Sequence, residues 1–158
     1  MNISSQPVWG PVGYEKVQYY YLPDIDAYYY VPQHQFIYQE RGRWITSRYL
    51  PPRYRNYNLY RGYKVVINED KPYLHDRDYR EKYSTYRDRH DQQPIRDSRD
   101  PKYFAIKNHP EHNKWIKQQK HDNGHGREQG HGNKHDENNR RDKHDNKDNQ
   151  DRHGDHKK

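Results

Sequence analysis

The sequence predicts a mainly β protein: a small antiparallel meander of about five short strands, an accessory helix, and a long disordered C-terminal tail. Three observations carry this. Fourteen tyrosines fall between Tyr14 and Tyr73. Short aromatic and β-branched runs alternate there with Pro, Asp and Gly turns, the pattern of linked hairpins. From Lys117 to Lys158 no apolar side chain occurs in 42 residues, so burial cannot offset about 1–2 kcal/mol of backbone entropy per residue.

Residues 1–15 hold Pro7, Gly10, Pro11 and Gly13 and read as an irregular lead-in. A Tyr-rich β module follows over 16–68. Its runs are Lys16–Leu22, Ala27–Val31, Gln35–Gln39, Arg43–Arg48 and Tyr63–Asn68. The turns between the first four are Pro23–Asp26, Pro32–His34 and Glu40–Gly42. Tyr54, Tyr57, Tyr60 and Tyr63 recur every three residues, which suits a short 3₁₀ turn or a loop lying on the sheet. The strand period of two sends the Tyr19–Tyr21 and Tyr28–Tyr30 rings to both faces, each burying its ring and keeping its hydroxyl at an edge.

Residues 69–90 form a linker and a helix from Asp76 to His90. Tyr79, Tyr83 and Tyr86 share one face and Asp76 stands at the cap position. Residues 91–116, with Pro94, Pro101 and Pro110, are expected to be loosely structured. Residues 117–158 form a His-rich polyampholyte tail with no structure of its own.

Composition sets limits. Leu, Ile, Val and Phe number 20 of 158 residues, a share at which disorder competes with folding. The net charge is +7 and the pI about 9.4, which fits a polyanion partner. With no cysteine, disulfides and thiolate metal sites are excluded. No apolar window reaches the length of a transmembrane helix. Met1–Gln6 lacks the charged and apolar regions of a signal peptide.

Three groups of residues are candidates for chemistry. Seven of the 12 histidines lie in the tail. Pairs three or four apart (His109 and His112, His121 and His125, His131 and His135, His153 and His156) are spaced for weak chelation of zinc, nickel or copper, whose ions accept imidazole. The tail requires no cofactor. The second group is Arg53, Tyr54, Arg55, Tyr57, Tyr60 and Arg61, cations interleaved with rings, as in single-stranded nucleic-acid binding. In the third, Tyr19, Tyr21, Tyr28, Tyr30, Trp44 and Tyr49 offer rings for stacking on sugars, although a sheet core needs the same residues. Catalytic residues are not assigned. Ser4, Ser5, Ser47, Ser84, Ser98, Thr46 and Thr85 supply the side-chain hydroxyls other than tyrosine, and none sits in a motif with a base.

The block Trp9-Gly10-Pro11, Tyr19 to Tyr29 with Pro23-Asp24-Ile25, then Gly42-Arg43-Trp44, Leu50-Pro51-Pro52 and Tyr54 to Tyr60 resembles a group of small uncharacterised proteins of Bacteroidota-type bacteria. The resemblance spans residues 9–75. It implies a cell-envelope or periplasmic location, because similar proteins begin with an export signal and end in charged, His-rich tails. This chain departs from them at its N-terminus, which alone would suggest the cytoplasm. The reading is therefore a non-enzymatic envelope or surface-associated interaction or structural protein. Its partners would be transition metals, bound weakly by the tail, or anionic envelope components. The alternative is a polyanion or single-stranded nucleic-acid binder.

Overall fold

The computed structural model describes residues 2–124. Five antiparallel strands form one sheet: β1 (Tyr19–Leu22), β2 (Ala27–Tyr30), β3 (Gln35–Glu40), β4 (Arg43–Ser47) and β5 (Val65–Ile67). The order is β4-β3-β2-β1-β5. The first four strands are a meander. The chain then crosses back so that β5 pairs with the free side of β1, Tyr20 opposite Val66.

Turn chemistry sets these hairpins. Asp26, His34 and Arg41 take left-handed backbone conformations (φ 48°, 54° and 49°), and Gly42 follows Arg41 at φ 74°. Glu40 pairs with Arg43, so Arg41-Gly42 is a two-residue loop with both φ values positive, matching the twist of its flanking strands.

The alternation places rings on both faces, and both faces are covered. Tyr20, Leu22, Ala27, Tyr29, Phe36 and Tyr38 share one face, under Trp9, Leu50, Tyr54, Tyr57 and Leu59. Tyr19, Tyr21, Tyr28, Ile37 and Ile67 share the other, under Tyr73, Tyr79 and Tyr83. The tyrosines are the core. Complete burial of such a ring contributes about 2 kcal/mol.

The covering segment 50–62 depends on one glycine. A Cβ on Gly62 would lie 1.5 Å from the Tyr57 hydroxyl. Tyr57 donates that hydroxyl to Asp24 at 2.6 Å, which pins the segment to the β1–β2 turn.

Several expectations are corrected. The helix predicted over 76–90 is α1 (Asp76–Lys82), followed by a 3₁₀ turn at Ser84–Tyr86. Ser84 donates its hydroxyl to the Glu81 carbonyl, competing with the helical ladder at its end. Asp76 is the first helical residue rather than the cap, and its carboxylate serves the sheet instead.

The lead-in and residues 91–116 are not loose; they hold each other. The Ile95 and Arg96 amides donate to the Gly10 and Val8 carbonyls, both at 2.8 Å. Val8, Ile95, Tyr103 and Ile106 form a third buried cluster beside the sheet. Apolar islands spaced too irregularly for a helix or strand can still meet across a long sequence separation.

Structure also continues beyond Lys117. Helix α2 runs from His112 to Gly124, anchored where Trp115 and Ile116 are half-buried and continued by Lys and Gln, good helix formers. The remainder of the predicted tail, 125–158, lies outside the described residues.

Candidate functional site

Asp26 and Asp76, beside the sheet, are occupied by the fold. Asp26 accepts from the Tyr21 hydroxyl at 3.0 Å and from Arg80 and Arg87 at 3.2 and 2.7 Å. Asp76 accepts from Tyr28 at 3.0 Å and from Arg80 at 2.5 Å. Burial, followed by the Asp76 charge, pushes the Tyr28 hydroxyl far above its ordinary pKa, and burial with Asp26 does the same to Tyr21. These carboxylates lock phenols in their neutral form and tie residues 76–87 to the hairpins.

A second buried group sits at the β1–β2 turn. Lys64 is 1% exposed, and desolvation lowers its ammonium to about 8 against an opposing pull from Asp24. Gln92 clamps the Lys64 backbone with two amide hydrogen bonds at 2.8 and 2.9 Å. Asp24 also accepts from the Asp88 amide. Lys64 has no route to a substrate, and the cluster is structural.

The predicted sites separate. His109 is buried. Its Nδ1 accepts from the Glu111 amide at 3.1 Å, so its Nε2 carries the proton and donates to the Ser98 carbonyl at 3.2 Å. Both ring nitrogens are used, so His109 is a structural residue. His112 donates from Nδ1 to the Phe104 carbonyl at 2.8 Å, so that nitrogen too is taken up by the fold. His121 lies exposed on α2. Among the described residues no group of three His, Asp or Glu could hold a metal ion. His125, His131, His135, His153 and His156 lie outside those residues.

Of the proposed sugar platform, Tyr19, Tyr21 and Tyr28 are buried, Tyr30 and Trp44 half-buried, and Tyr49 alone is well exposed. They form no open stacking surface.

The Arg and Tyr segment divides by residue type. Tyr57 is committed to Asp24, and the Arg96 guanidinium covers Tyr60 at 4.1 Å from the ring centre. Arg53 lies over the Tyr54 ring at 5.0 Å. The rings are thus engaged, whereas Arg53, Arg55 and Arg61 are exposed.

Those arginines belong to a larger set that sequence reasoning missed. Between residues 27 and 68 the only acidic residue is Glu40, against Arg41, Arg43, Arg48, Arg53, Arg55, Arg61 and Lys64. All six arginines are exposed, and none is ion-paired among the described residues. The ion pairs there involve cations from Arg80 onward, such as Arg89 with Asp91, Arg96 with Asp97 and Lys102 with Asp100. The signal in the sequence is the acid-poor window itself rather than the alternation of Arg with Tyr.

Geometry gathers part of this set. One depression is lined by Glu40, Arg41, Arg43 and Ile45, and a groove is lined by Glu40, Pro51, Pro52 and Arg53. Arg41, Arg43 and Arg53 therefore surround the end of β3. Arg48 stands beyond the opposite end of β4, since Ser47 pairs with Phe36 at the start of β3. The β3–β4 turn thus forms a rim with Arg41, Arg43 and Arg53 against the single acid Glu40. It is suited to carboxylate, sulfate or phosphate groups, which guanidinium groups bind in paired geometry.

Among the described residues no helix is long and apolar enough to cross a membrane. No family model matches the chain, and comparison with curated proteins and with solved structures finds no match.

Proposed function

We propose that this chain is a non-enzymatic interaction protein that docks on anionic polymers of the cell envelope through the arginine rim at the β3–β4 turn. The observation that carries this reading is the contrast in pairing. Arg41, Arg43, Arg48, Arg53, Arg55 and Arg61 are exposed without ion pairs among the described residues, while Arg80, Arg87, Arg89, Arg96, Lys102 and Lys114 each meet a carboxylate. The envelope location rests on the resemblance of residues 9–75. The non-enzymatic reading rests on carboxylates already committed to tyrosines and arginines.

Engaged tyrosines favour recognition of charge over recognition of bases. A single-stranded nucleic acid would be held by its phosphates alone, without the ring stacking that adds about 1–3 kcal/mol per base.

The test is retention of the full chain on a sulfated polysaccharide across a salt series. Binding is expected to weaken steeply with salt, as for other cation–polyanion contacts. Joint substitution of Arg41→Gln, Arg43→Gln and Arg53→Gln should remove most of the retention. Unchanged retention in that variant would refute the rim as the docking site.

A further inference from the structure

A second concave site is built from other residues. A cleft of about 700 Å³ opens among residues 4–9, the Tyr29–His34 end of β2 and the 106–108 loop. That volume falls in the range of roughly 300–1,000 Å³ typical of small-molecule sites.

One part of its lining is aromatic. Trp9 is half-buried and held by other rings, edge-on to Tyr29 at 4.8 Å and stacked with Phe36 at 6.3 Å. Tyr60 adds a second ring, steadied by Arg96. His34 is fixed at the rim through its Nδ1, 3.2 Å from the Tyr29 hydroxyl.

The other part is polar. Ser4, Ser5, Lys107 and Asn108 line the cleft, and their side chains make no hydrogen bond or ion pair among the described residues. This sets them apart from the Tyr–Asp–Arg network, where the polar groups are matched. No carboxylate lines the cleft.

Each component selects a feature of the ligand. A braced indole face takes the apolar C–H face of a saturated ring. Two hydroxyls and an amide, each able to donate and accept, suit a ligand with several hydroxyl groups. One ammonium with no carboxylate nearby favours a single negative charge. We infer that this cleft binds one acidic sugar unit of the uronic-acid class, its ring against Trp9, its hydroxyls on Ser4, Ser5 and Asn108, and its carboxylate on Lys107. Free inorganic phosphate would satisfy Lys107 but leave the aromatic wall unused. None of the rim arginines lines the cleft, so this site stands independently of the polyanion rim.

The test is titration of the full chain with glucuronate, glucose and inorganic phosphate, followed by backbone amide shifts. Glucuronate is expected to move the amides of Ser5, Trp9, Lys107 and Asn108, and glucose to do so more weakly. Lys107 is exposed, so Lys107→Met should fold normally while weakening glucuronate about tenfold, to the level of glucose. In the combined Arg41→Gln, Arg43→Gln and Arg53→Gln variant, glucuronate should still move the cleft amides of Ser5, Trp9, Lys107 and Asn108, since none of the three arginines lines the cleft. The inference is overturned if neither sugar moves these amides, if phosphate alone reproduces the glucuronate shifts, or if Lys107→Met keeps the preference for glucuronate.

Discussion

The Tyr28 hydroxyl donates to the Asp76 carboxylate at 3.0 Å, joining the middle of strand β2 to the first residue of helix α1. The same carboxylate accepts from Arg80, which also reaches Asp26. One short helix is therefore held to the sheet by hydrogen bonds as well as by rings. Removing the acceptor should cost more than removing the donor. Asp76→Ala leaves a buried phenol unmatched, a loss of about 2 kcal/mol, whereas Tyr28→Phe leaves Asp76 on Arg80 and costs about 1 kcal/mol. In urea unfolding the double mutant should lose about 1 kcal/mol less than the sum of the two single losses.

Arg41 occupies a left-handed turn position, φ 49°, where Asn or Gly fits with less strain. Arg41→Asn is expected to stabilise the fold by about 0.5–1 kcal/mol while weakening retention on a sulfated polysaccharide. Thermal unfolding and the binding assay on one sample measure both effects. A variant that is more stable and binds equally well would remove Arg41 from the docking surface.

Lys64 gives a pH dependence of definite sign. Its ammonium is lowered to about 8, below its unfolded value of about 10.4. Below pH 8 it is charged in both states and burial of the charge lowers stability. As pH rises from about 8 to about 10 that penalty is relieved. Lys64→Met should therefore stabilise the protein at pH 7, by about 2 kcal/mol, and the gain should shrink toward pH 10. Urea midpoints across that range provide the check.

The tyrosines act in the opposite direction. Burial raises Tyr20, Tyr21, Tyr28 and Tyr57 well above 10, and Tyr29 to about 12. Neutral phenol is the form favoured by the fold. Their contribution is complete below the unfolded value near 10 and is lost as pH rises through the folded values. Ionisation of these core rings should therefore coincide with unfolding, so that tyrosinate absorbance goes on rising above about pH 10 in step with the loss of structure. A single smooth rise near pH 10 from all 18 tyrosines would contradict a Tyr core.

The sheet was legible because strand period and turn residues agree. Runs bounded by Pro23–Asp26, Pro32–His34 and Glu40–Gly42 became β1 to β4 with ends shifted by three residues or fewer. The joining of the lead-in to residues 91–116 was not legible. Its bonds, such as Ile95 amide to Gly10 carbonyl, link backbone in irregular segments that carry no period. The carboxylate network was hidden for another reason: alternation locates a ring, but not the partner of its hydroxyl. The rim was half legible. Arg53, Arg55 and Arg61 stood out beside tyrosines, while Arg41 and Arg43 became related to Arg53 only once β3 and the 51–53 segment were placed together.

The most direct test of the docking account is residue-level mapping of the full chain against a sulfated polysaccharide at low salt, by amide shift. Docking on the rim would concentrate the changes at Arg41, Gly42, Arg43 and Arg53, fading as salt is added. Changes concentrated instead at the paired cations Arg80, Arg89 and Arg96, with the β3–β4 turn unmoved, would contradict it.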